Sequence, residues 1–199
     1  MKKFAIVVMS AAASMAMAMG TMTSTSSGES PVKIYTNIDM NMTKLASDGL
    51  TYDMGYNLAV GTDAAYMFTN EMGASLGLDF NMVSAETNSV ESKINFLDIP
   101  VNFVYNMSFT SDLNALLGVG PFIGMPLGEM KSEGFADTKI ETVYGLNVES
   151  HINYAMSSDF ALGGHIGFKY AMNDINQTDG AVGTQNYWAL GLGLSAKFL

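Results

Sequence analysis

Along most of the chain apolar and polar residues alternate with a period of two, the repeat of a pleated strand whose side chains point to opposite faces. The pattern is clearest from Lys93 to Met125. Leu97, Ile99, Val101, Phe103 and Tyr105 fall on one parity there, and Asp98, Asn102 and Asn106 on the other. After the turn residues Ser108 to Asp112, Leu113, Ala115, Leu117, Val119 and Ile123 alternate with Asn114, Gly118, Gly120 and Gly124. The spacing predicts a long antiparallel hairpin. Its strands exceed the roughly five to six residues usual in soluble proteins and match the roughly nine to eleven that cross a bilayer at a tilt.

The same unit recurs before and after it. A first strand at about Val32–Met42 sets Val32, Ile34, Ile38, Met40 and Met42 against Lys33, Tyr35, Asn37, Asp39 and Asn41. Further strands are predicted at about Met54–Phe68, Met72–Met82, Ile140–Ala155, Phe160–Tyr170 and from Tyr187 to the C-terminus. Short turns at Thr69–Glu71, Ser108–Asp112 and Met156–Asp159 alternate with longer polar segments at Thr43–Tyr52, Val83–Ser92, Pro126–Lys139 and Asn173–Gln185. Alternating short turns and long loops are the asymmetry of outer-membrane barrels. The predicted fold is all-β, an eight-stranded antiparallel up-and-down transmembrane β-barrel over residues 32–199.

Composition decides which face is inside. Hydrophobic residues make up 48% of the chain, charged residues only 14%, and mean hydropathy is +0.18. The interior of an eight-stranded barrel is just wide enough to be filled by side chains. The bulky apolar set does not fit there, whereas the Gly, Ala, Ser and Asn of the other parity do. The apolar face therefore points outward, where lipid suits it. Tyr56, Phe68, Phe80, Tyr105, Tyr154, Phe160, Tyr170 and Trp188 then form interfacial girdles. Arginine at outward Leu78 is expected to be far more damaging than serine at inward Gly77. A soluble periplasmic barrel binding an apolar ligand is the competing architecture, because alternation alone fits it equally.

Residues 1–18 read as a signal peptide, with Lys2-Lys3 before an apolar run and Ala16-Met17-Ala18 as the cleavage site, and residues 19–31 as a disordered tether. The expected location is the outer membrane of a Gram-negative-type bacterium. A net charge of −10, with nine Lys and no Arg, argues against nucleic acid as a partner. There is no cysteine, hence no disulfide and no thiolate site.

The run Leu97-Asp98-Ile99-Pro100-Val101, followed by Tyr105 and Leu117-Gly118-Val119-Gly120-Pro121-Phe122-Ile123-Gly124, resembles the LxIP and GxGPxxG signatures of small outer-membrane barrels of the PorT-like group. More broadly, the strand plan is similar to the OmpA transmembrane domain and OmpX. The resemblance implies a barrel without intrinsic chemistry, and the peptidoglycan-binding domain of OmpA-type proteins is not expected.

Candidate chemistry lies on the inward parity. Asp39, Asp79, Asp98, Glu149, His151, His165 and Lys169 are expected to form an interior polar network, with the histidines joining Glu149 through hydrogen bonds between neighbouring strands. Lys169 is the one basic residue predicted among Asp39, Asp79 and Asp98, so one carboxyl is expected to be protonated or a cation to sit with them. The histidines invite comparison with general bases of outer-membrane lipid-modifying enzymes. Lipid A deacylases carry a His-x-Ser pair, but Ile152-Asn153 and Ile166-Gly167 follow here, and catalysis is the alternative reading. The stretch Asp174–Gly180 departs from calcium-loop spacing, and Met40-x-Met42 reads as apolar surface. No catalytic, cofactor or metal residue is assigned. The expected role is structural or surface-interacting, as a monomer in outer-membrane lipid. Asp48, Glu86, Glu91, Glu129, Glu133, Asp137, Asp174 and Asp179 make the outer rim anionic, so an extracellular ligand is expected to be basic or bridged by a divalent cation.

Overall fold

The computed structural model describes residues 31–47, 50–51, 53–87, 90–132, 139–174 and 185–198. The leader, most of the tether and nearly all of the calcium-like stretch lie outside these. The strands are β1 Val32–Ser47, β2 Leu50–Thr51, β3 Asp53–Met67, β4 Met72–Thr87, β5 Val90–Ser108, β6 Leu113–Pro126, β7 Lys131–Ser132, β8 Val143–Ala155, β9 Phe160–Ala171 and β10 Gln185–Phe198. β2 and β7 are two-residue returns that pair with the upper parts of β1 and β5. The other eight are the staves, each antiparallel to its neighbour. β10 pairs with β1 from Ile34↔Phe198 to Ser47↔Gln185, which closes the sheet into a barrel. Closure gives each of the eight staves a partner on both sides, a condition for strands in lipid.

The faces are as the alternation demands. Met40 is 66% and Leu194 76% exposed, whereas Asp39, Asn81, Asp98 and Asn102 are buried. Tyr66, Phe68, Tyr105, Tyr154, Phe160 and Phe198 ring one end of the apolar band, and Tyr56, Tyr144, Tyr170 and Trp188 ring the other. Phe160 and Tyr170 are ten residues apart on β9. At about 3.3 Å per residue and a tilt of about 40°, that separation spans about 25 Å, the height of a barrel's apolar band.

Two of the predicted loops are largely wall. β4 runs to Thr87 and β5 begins at Val90, with pairing continuous up to Thr87↔Val90, so Val83–Ser92 is the tip of a hairpin. β1 likewise continues to Ser47. These residues look loop-like in sequence because the outer face above the bilayer no longer needs to be apolar, while the backbone ladder continues. Inside, Val83 and Ile94 are buried.

Pro100 and Pro121 have no N–H to donate, and the ladder opens beside both. The β4–β5 register skips from Leu76↔Val101 to Asp79↔Asp98, and the β5–β6 register from Pro100↔Phe122 to Phe103↔Val119. These are the prolines of the two signature motifs.

The interior is layered. Tyr35, Ala65, Met67, Val104 and Leu116 pack together at the turn end. At the loop end Val83, Ile94, Phe96, Phe122, Val143 and Tyr187 form a second apolar layer, which Met130 enters from the Pro126–Lys139 segment and Ile140 from just after it. Between the two lies a polar layer.

Candidate functional site in the barrel interior

Every residue of the polar layer reaches it because its strand carries small or polar residues on the inward parity. In the upper part, Lys169 Nζ on β9 lies 2.8 Å from Asp79 Oδ2 on β4 and 2.8 Å from Asp98 Oδ2 on β5. Asn81 donates to Asp98 Oδ2 at 3.2 Å, and Asn41 donates to Asn81 Oδ1 at 2.6 Å. The ammonium also lies 5.8 Å from the Phe122 ring centroid.

In the middle, His165 Nδ1 lies 2.9 Å from both carboxylate oxygens of Asp39, which also accepts from the Asn37 amide. Glu149 is held by two amides: Asn102 donates to Oε1 at 2.8 Å and Asn147 to Oε2 at 3.1 Å. Lower down, His151 Nδ1 is 2.9 Å from Ser195 Oγ, and its Nε2 is 3.7 Å from Asp63 Oδ2. The rings of His151 and His165 stand 4.5 Å apart, and Tyr35 packs 4.8 Å from His151 on the other side. One ligand atom from each of Glu149, His151 and His165 lies within 4.8 Å of the others.

The seven inward residues predicted from sequence thus share one compartment, but their pairing differs from expectation in two respects. Asp39 does not compete for Lys169; it pairs with His165, the residue in register with it across Gly193. Glu149 makes no hydrogen bond to either histidine, because the Asn102 and Asn147 amides reach it first. Asp63, Ser195, Asn102 and Asn147 belong to the layer as well. Their inward parity was the available signal, and neither a motif nor a charge pair singled them out.

A cavity of about 30 Å³ opens in this layer against Asn41, Asp39, Asp79, Glu149, His165 and Lys169, enough for one water-sized group. Ser195, His151 and Asp63 form a hydroxyl–imidazole–carboxylate series, the order of a hydrolase triad. All three are buried, at 2%, 0% and 2% exposure. Apolar layers pack on both sides of the series, and Asp63 also lines a cavity in the wall with Ile34, Leu76, Leu78 and Ile99.

Inward glycines make room for these side chains. A Cβ on Gly77 would overlap Asp63 Oδ1 and come within 2.7 Å of Pro100 Cγ. Serine at Gly77 is therefore not the mild change that inward parity suggested.

Comparison with known proteins agrees with the architecture. The family model for the outer membrane protein β-barrel domain matches residues 4–198. Among solved structures, Neisserial surface protein A is similar with a TM-score of 0.56 at 17% identity, covering 86% of this chain and 100% of that one. The outer membrane protein OprG from Pseudomonas aeruginosa is similar at 0.54 and 17%, covering 86% and 98%. The outer membrane protein AlkL, solved in lipid bilayers, is similar at 0.55 and 11%, covering 88% and 93%. At these identities the likeness is one of fold. No curated protein matches the chain in sequence.

Proposed function

The chain belongs to the outer membrane protein β-barrel family, and from that premise we propose that it is a non-catalytic component of the bacterial outer membrane that acts through its extracellular rim. The observation that carries this reading is the pair of apolar layers enclosing the polar interior. They bury Ser195 and the histidines, which supports a role played at the strand ends rather than in the interior. A fold neighbour that is a surface protein by name is consistent with this.

The rim is the proposed contact surface. Asp53, Glu86 and Glu129 are exposed at the loop end, with Lys131 and Lys139 beside them. Residues 48, 133, 137 and 179, further acidic positions expected from the sequence to lie in the outer loops, fall outside the described ones. An anionic rim repels lipopolysaccharide phosphates unless calcium or magnesium bridges them, and it attracts basic partners. The barrel is proposed to act as a monomer, and the leader to be removed after Ala18.

The test replaces residues 132–138 by a short Gly-Ser turn. This keeps Met130 and Ile140, which seal the outer layer. Binding to lipopolysaccharide vesicles with and without magnesium, and to a cationic peptide, is measured beside barrel stability. Binding is expected to fall while the barrel still folds, and unchanged binding to both overturns the rim as the contact surface.

A further inference from the structure

We propose that the polar layer is a binding site for one imidazole-preferring divalent transition ion of the Zn²⁺ type, held by Glu149, His151 and His165 with Asp63 as a neighbouring oxygen donor. Glu149 and His151 project inward two residues apart on β8, and His165 lies opposite His151 on β9. Gly167 stands opposite Glu149, and His165 leans over it: a Cβ at 167 would be 3.0 Å from His165 Cε1. The imidazole therefore tips toward the carboxylate.

The second observation is what the ring nitrogens lack. His165 Nδ1 faces Asp39 at 2.9 Å and His151 Nδ1 faces Ser195 Oγ at 2.9 Å, while Nε2 of each ring is buried without a hydrogen-bond partner in the chain. Asp63 Oδ2 lies 3.7 Å from His151 Nε2. At His165 the Asp39 carboxylate as acceptor on Nδ1 holds the proton there and leaves Nε2 with its lone pair, the arrangement that orients a histidine toward a metal; at His151 the Ser195 hydroxyl is able to accept from Nδ1 in the same way. Unpaired buried lone pairs are unfavourable, and a cation satisfies several at once.

Distance and charge agree. Ligand atoms bonded at about 2.0–2.1 Å in a tetrahedral site stand about 3.3 Å apart. One ligand atom from each of the three residues lies within 4.8 Å of the others, so a tetrahedral site needs about 1.5 Å of closure at most. In the polar layer the carboxyl groups of Asp39, Asp63, Asp79, Asp98 and Glu149 outnumber the cations, Lys169 being paired with Asp79 and Asp98. A divalent ion reduces that excess in a compartment cut off from water. Two imidazoles with carboxylates select zinc, cobalt, nickel or copper over calcium or magnesium, which prefer all-oxygen shells.

The test is made on the full barrel, folded into detergent with Zn²⁺, Co²⁺, Mg²⁺ or no metal, exchanged into metal-free buffer and assayed for bound metal and urea midpoint. The expected result is about one Zn²⁺ per chain, a higher midpoint with Zn²⁺ but not Mg²⁺, and a visible Co²⁺ spectrum with imidazole coordination. Glu149→Gln and His165→Gln should lower affinity by more than about tenfold, and Ser195→Ala, which removes only an orienting partner, by about tenfold or more while keeping the stoichiometry. If the ligand variants do not fold, wild-type stoichiometry and the Co²⁺ spectrum decide. No retained Zn²⁺, equal midpoints with and without it, or wild-type binding by a folded Glu149→Gln barrel overturns the site.

Discussion

Asp39 on β1 and His165 on β9 meet at 2.9 Å although a whole strand separates them. Both are in register with Gly193 on β10, which has no side chain to stand between them. A Cβ on Gly193 would overlap the Ile38 carbonyl oxygen and Asp39 Oδ1.

Gly193→Ala should therefore destabilise the barrel by about 1–3 kcal/mol, the range for overpacking a filled interior. Gly164→Ala is the matched control. The nearest atom to a Cβ there is the Gly193 carbonyl oxygen at 3.8 Å, and the change should stay within about 0.5 kcal/mol. Urea titration of barrels folded into phospholipid vesicles checks both, and equal effects would remove the close packing across Gly193.

Lys169→Met strips the cation from Asp79 and Asp98, both of which it touches at 2.8 Å. Breaking a buried pair from one side costs about 3–5 kcal/mol because a charge is left without compensation. The loss should be larger at pH 8 than at pH 5, since a water-poor interior without a nearby cation favours the neutral carboxylic acid, which low pH supplies. Adding Asp79→Asn and Asp98→Asn should recover much of it at pH 8. An equal loss at both pH values would mean that the cluster's charge does not govern the effect.

Leu78→Arg and Leu192→Arg place a charge on the lipid face near the middle of the wall, Leu192 being 49% exposed there. Each should cost about 2–4 kcal/mol near the midplane in a bilayer. In a detergent micelle, which deforms around the charge, the penalty should shrink. Similar penalties in bilayer and micelle would place these residues away from lipid.

Planar bilayers holding the purified barrel should show no stable single-channel steps. Phe96 and Tyr187 stack 5.5 Å apart at the loop end, and Tyr35 and Leu116 close the turn end. Water would have to cross both apolar layers. Reproducible steps would mean that at least one of them opens.

The faces, strand plan and lipid-facing belt are legible in the sequence because a strand's side-chain period is two. Parity alone assigns Met40 outward and Asp39 inward, and the volume of an eight-stranded interior decides which set lipid receives. The inward location of all seven predicted polar residues follows from the same rule. Parity gives a face but neither height nor partner. Those depend on stagger between neighbouring strands, which is set around the whole closed ring. Hence only the tertiary structure joined Asp39 to His165 rather than to Lys169, brought Asp63 and Ser195 to His151, and set the two imidazoles 4.5 Å apart. It also turned Val83–Ser92 from a loop into wall, since ladder hydrogen bonds continue after lipid has ceased to impose alternation.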